Sequence, residues 1–110
     1  MSMMLIMFIP TGLLLVVLSV PMICRWIKPN GLYGFRVKRT LENPEIWYAV
    51  NSYSGKWLLV TGIVEILASI GLSFIPGISI DAYAYSVLGV FGFVFASSII
   101  ASVVYMNRIP

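Results

Sequence analysis

Glu65 falls near the middle of an apolar run from Trp57 to about Ile75. A charged side chain at that depth costs about 2.5–3.5 kcal/mol on insertion scales, so such a residue usually has a reason. On a helix, Asn51, Gly55, Gly62, Glu65 and Ser69 recur at spacings of three and four. They form a small, polar face that turns toward other helices rather than lipid. Two readings are open for the carboxyl: a protonated acid hydrogen-bonded between helices, or a proton- or ligand-responsive group.

Arg36 is the second residue with chemical potential. Its planar guanidinium suits pairing with Glu42 or Glu45, which would clamp the surrounding loop onto the helix that begins at Pro44; binding of an anionic head group or a partner is the alternative. Arg25, Lys28, Lys38 and Arg39 read as orientation signals and anionic-lipid contacts. The chain has no histidine and one cysteine, Cys24. No intramolecular disulfide can form, and Cys24 reads as a small apolar residue at a helix end. A zinc, haem or copper site built from His and Cys is not expected. No nucleophile–base pair, Walker loop, HExxH pattern or dinucleotide glycine fingerprint is present, so neither an enzyme nor a cofactor is expected.

The elements that must carry these residues are set by composition. Of 110 residues, 60% are hydrophobic and 10% charged, against about a quarter charged in soluble domains. The apolar residues gather in long runs: Met3 to about Cys24, Trp57 to about Ile75, and about Ala82 to Met106. Each is long enough at ~1.5 Å per residue to cross a hydrocarbon core of ~30 Å. The first contains Pro10 and Pro21, which spanning helices tolerate. It is not expected to be a cleaved signal peptide, because no basic residue precedes it and no small-x-small site closes it. Pro76-Gly77 ends the second run, and the short turn to Asp81 makes the last two spans an antiparallel hairpin. The fold class is an all-α integral membrane protein with three transmembrane helices in one domain.

Residues 25–56 form the polar loop and hold six of the seven basic residues; Arg108 is the seventh. Basic residues near span ends stay on the cytoplasmic side, so the net charge of +3 serves orientation rather than nucleic-acid binding. The expected topology is N-terminus outside and C-terminus inside. Trp26, Trp47, Tyr48, Tyr53 and Trp57 flank the loop, and Tyr83 and Tyr85 mark the opposite interface.

Within the loop, Asn30-Gly31 and Gly34 allow a compact turn that holds Tyr33, Phe35 and Arg36 in fixed directions. Asn43 then reads as an N-cap, Pro44 as N1 and Glu45 as a first-turn acid. In the helix that follows, Ile46, Val50, Tyr53 and Trp57 form an apolar stripe suited to the membrane surface or to the other helices. Trp47, Asn51 and Gly55 form its neighbour. Two arrangements are open: a short interfacial helix that bends at Gly55, or one helix continuous with the second span.

Gly34-Phe35-Arg36, Thr40-Leu41, Trp47, Asn51 and Gly55 together resemble the signature of the SdpI/YfhL family of small bacterial membrane proteins. That family usually has Thr-Pro after the arginine, where this chain has Val37-Lys38. The resemblance implies residence in the bacterial cytoplasmic membrane and resistance to, or sensing of, a membrane-acting peptide toxin. It also implies a partner in the form of a toxin, and a cytoplasmic repressor in the best-known case. Arg36, Trp47, Asn51, Gly55 and Glu65 are then the candidate functional residues. Rival readings are an accessory subunit of a larger membrane complex and a proton-coupled small exporter; the exporter class needs four helices.

In the third span, Gly89, Gly92 and Ala96 make a groove for close helix approach. Its partner is expected to be the second span, through which Gly62 also packs, with a second copy of the chain as the alternative. Ser97, Ser98 and Ser102 are expected to bond back to their own helix.

Overall fold

The computed structural model describes residues 2–109, and four α-helices and no strand lie among them. They are α1 (Ser2–Ile23), α2 (Lys38–Glu42), α3 (Pro44–Ser73) and α4 (Ile80–Asn107). α1, α3 and α4 are each long and apolar enough to cross a membrane. The chain is therefore the three-span helical protein that its composition dictates.

The helix between the loop and the second span is continuous. α3 has 30 residues, about 45 Å of helix, whereas ~30 Å of hydrocarbon needs only about 20 residues. Its first turns therefore project beyond the apolar core and carry Trp47 and Asn51 at the level of the loop. The start follows from local chemistry. Asn43 accepts N–H bonds from Glu45 at 3.0 Å and Ile46 at 3.4 Å, and Pro44 occupies N1. The helix runs through Gly55 without interruption. The absent side chain instead admits α1, because a Cβ there would stand 2.9 Å from both the Met22 Cβ and the Ile23 Cγ1.

α1 accommodates both prolines without interruption. It ends in a Schellman motif, with Trp26 N–H bonded to Pro21 O at 2.9 Å and Arg25 N–H to Met22 O at 3.3 Å. Arg25 takes the left-handed position usually given to glycine, at φ 61°.

α3 is the central element. α1 and α4 both pack on it and meet each other little, with Phe8 and Tyr83 at ring centroids 6.0 Å apart. The α1–α3 crossing is made by two glycines: a Cβ on Gly62 would lie 2.7 Å from Gly12 O, and one on Gly12 would lie 2.9 Å from Gly62 O. Gly12 thus belongs to the packing set although sequence spacing gave it no such role. The face Asn51, Gly55, Gly62, Glu65 and Ser69 is buried throughout its length.

Toward α4 the contacts are polar as well as apolar. Ser54 donates to the Ser102 hydroxyl at 2.6 Å, and the Tyr83 phenol donates to Ser69 O at 2.7 Å. Ser97 and Ser98 do bond their own helix, at Phe93 O and Phe95 O, but Ser102 is engaged across the interface. The expected intramolecular groove is corrected outright. Gly89, Gly92 and Ala96 are exposed, and a Cβ on either glycine would meet nothing within 4 Å. α4 instead turns Tyr83, Val87, Ser98, Ser102 and Met106 inward, where the Tyr83 phenol and the Ser102 hydroxyl meet partners on α3.

Candidate functional site

The loop between α1 and α3 is not a loose connector. Asn30 closes an Asx turn, its Oδ1 accepting from Leu32 N at 2.8 Å and Tyr33 N at 2.7 Å. The turn aims the Tyr33 phenol back at α1, where it donates to Leu18 O. Partial burial there pushes the phenol above its ordinary value of 10.0.

The next residues dock on the projecting end of α3. Gly34, at φ 116°, lies so close that a Cβ would stand 2.6 Å from Asn51 Oδ1 and 3.1 Å from the Trp47 ring. Asn51 accepts from Phe35 N at 2.6 Å, and its amide donates to Trp47 O at 3.0 Å, with Phe35 O at 3.4 Å. The Trp47 indole donates to Ile27 O at 2.8 Å and is fully buried. Thr40 accepts from Val37 N at 3.0 Å; its hydroxyl stands 3.0 Å from Phe35 O and 2.9 Å from Val37 O. Gly34, Phe35, Thr40, Trp47 and Asn51 are therefore one hydrogen-bonded unit that sets the loop's shape.

Arg36 does something other than the expected ion pair. Its guanidinium donates to Gly31 O and closes the turn upon itself, while the side chain remains exposed. The clamp to a distant element is made by Arg39, which sequence reading treated as an orientation charge. From α2 it donates to Met106 O at 2.6 Å and to Ile109 O. Met106 O lies in the last turn of α4 and Ile109 O just past the helix end, at the negative end of the helix dipole, where a guanidinium is well suited. The loop and the C-terminal end of α4 consequently share one end of the molecule. Ile46 and Val50 join Met106 in a small core nearby, and Tyr53 stacks on Tyr105 with ring centroids 4.2 Å apart.

Glu65 lies deeper and away from this unit. It is buried at 5% exposure, and Thr11 on α1 donates to its Oε2 at 3.2 Å. Gly12 makes room for it, since a Cβ there would sit 3.1 Å from the same oxygen. The carboxyl thus faces α1 at the glycine crossing. No cluster that could hold a metal ion exists among the described residues.

Between these two sites lies a cavity of about 280 Å³. Tyr33, Gly34 and Phe35 roof it; Leu15 and Leu18 of α1, Leu58 of α3, and Phe95 and Ile99 of α4 contribute its apolar walls. Residues of α1, α3 and α4 all line it, where α1 and α4 make few contacts with each other.

The family model described as the SdpI/YfhL protein family matches residues 26–106. No curated protein and no solved structure matches the chain. The matched segment takes in the whole docked loop together with α3 and nearly all of α4, and so most of the sequence: the chain belongs to the SdpI/YfhL protein family.

Proposed function

We propose that this protein gives a bacterial cell resistance to, or a means of sensing, a membrane-acting antimicrobial peptide. Family membership is the observation that carries the reading. The protein acts without catalysis, by binding and by a change in helix packing. Two features supply a mechanism. Arg39 joins the loop to the end of α4, and the loop rests on α3 through Asn51 and Trp47. A peptide that engages the exposed Arg36 face would pull on both attachments and shift α4 relative to α3. Glu65 and Thr11 hold α1 against α3, so α4 is the helix left to move.

The charge distribution supports an orientation with the loop and the C-terminus inside and the N-terminus outside. A phosphatase fused after Ile109 should then be inactive and a cytoplasmic fluorescent reporter bright; the reverse pattern would overturn the orientation.

The test of function is survival of a peptide-sensitive bacterial strain expressing the chain, beside Arg36→Ala and Glu65→Gln at matched membrane levels. Protection by the parent, with loss in Arg36→Ala, supports the reading. No protection from a well-inserted parent discards it. The accessory-subunit reading then stands first, favoured by the outward Gly89, Gly92 and Ala96 and decided by co-purification of a stoichiometric partner.

A further inference from the structure

We infer that the cavity beneath the loop holds one acyl chain of an anionic phospholipid, whose head group rests among the loop's cations. The walls favour hydrocarbon. Leucine, isoleucine and phenylalanine supply half of the lining and Met22 and Tyr33 add apolar surface, while of the three lining serines Ser54 and Ser98 already donate, to Ser102 Oγ and to Phe95 O. A polar ligand would find few donors there, whereas an alkyl chain needs none.

The surroundings narrow the choice further. The walls come from α1, α3 and α4, all three long and apolar enough to cross the bilayer, so lipid is the molecule at hand. The cavity is lined by both α1 and α4, which make few contacts with each other, so a lipid tail can enter sideways from the bilayer between them.

Charge selects the head group. Between Cys24 and Asn43 the chain has five cations and one carboxylate, Glu42. Arg39 is committed to the end of α4, but Arg25 follows the cavity-lining Met22 by three residues, and Arg36 follows the cavity-lining Phe35 directly. Arg25, Arg36 and Lys38 are all exposed. A phosphate or phosphatidylglycerol head at this rim meets guanidinium groups, while its chain is drawn under Tyr33 and Phe35.

The experiment uses the full chain in vesicles of equal phosphatidylglycerol and phosphatidylcholine, each in turn carrying a photoreactive acyl chain. Lipids retained after extraction are counted by native mass spectrometry. One phosphatidylglycerol should stay bound with at least a tenfold preference over phosphatidylcholine, and its chain should crosslink to α1 and α4 residues of the cavity such as Leu18 and Ile99. Ser98→Phe fills the space from α4 and Leu15→Phe from α1; either one, if folded, should cut retention about tenfold. Arg36→Ala should narrow the preference while the chain still crosslinks inside. Equal retention of the two lipids would overturn the proposal. So would crosslinks confined to outward positions such as those around Gly92, or crosslinking inside the cavity by a co-purified protein segment in place of lipid.

Discussion

Asn51 acts as a substitute strand for a single residue: its side-chain amide accepts the N–H of Phe35 at 2.6 Å and lies 3.4 Å from the same residue's carbonyl. It is 3% exposed, so water cannot take over if the amide is removed. Asn51→Leu should cost about 1–3 kcal/mol, the usual penalty for a buried polar group left unpaired. Asn51→Asp keeps the acceptor but turns a second oxygen on Trp47 O and Phe35 O, and should cost at least as much. Thermal unfolding in detergent, with limited proteolysis of the loop, gives both values.

Glycines on two faces should respond oppositely to the same methyl group. Gly62→Ala places a Cβ 2.7 Å from Gly12 O, a backbone atom that cannot step aside, and should destabilise by about 1–3 kcal/mol. Gly92→Ala meets nothing within 4 Å and gains helix propensity, up to about 1 kcal/mol. Melting temperatures that moved together would contradict the outward placement of the α4 stripe.

Removing the Arg39 guanidinium should loosen the end of α4. Arg39→Gln loses charge-assisted bonds to two carbonyls, worth about 1.5–3 kcal/mol for such groups when shielded and less at this partly exposed site. Hydrogen exchange should accelerate at residues 105–109 and in the loop, with little change around Gly62. Arg39→Lys, with a point charge in place of a fork, should recover only part of the protection.

The Tyr33 phenol gives the loop an alkaline limit. Its folded-state pKa lies above the ordinary 10.0 because burial disfavours the phenolate. The proton-bound form is therefore the one that docks. Its stabilisation is complete below the ordinary tyrosine pKa and is lost as pH rises through the raised value. Tyrosinate absorbance should rise late for this residue and coincide with loop proteolysis; Tyr33→Phe should dock less tightly at neutral pH and lack that alkaline step.

Much of the architecture was legible because few physical rules govern it. Three apolar runs of span length permit little else, and Asn43-Pro44-Glu45 is a helix start by local chemistry alone. The small polar face from Asn51 to Ser69 could be read as buried because helical spacing aligns it and lipid rejects it. What spacing cannot give is the identity of the partner. Gly89 and Gly92 have the same signature as Gly62 but face outward, since α4 is turned by Tyr83 and Ser102 rather than by its smallest residues. Arg39 and Arg36 were indistinguishable as loop cations. Which one reaches α4 depends on the five-residue α2, an element too short to leave a periodic pattern. Gly12 was missed for a related reason, as one glycine in an apolar run has no partner until α3 is placed beside it.

The matched family segment begins at Trp26, just beyond α1, and α1 is held in large part through its main chain. Ser52 bonds Ile23 O, Tyr33 bonds Leu18 O, and Gly62 lies against Gly12 O. These are main-chain atoms that every residue type provides. The first span is thus held largely as a ribbon of carbonyls with one narrow waist, and Thr11 adds the side-chain bond that Glu65 requires. A first span of different sequence, given a glycine at the waist and a hydroxyl at the Thr11 position, could be exchanged for this one and seat in the same groove.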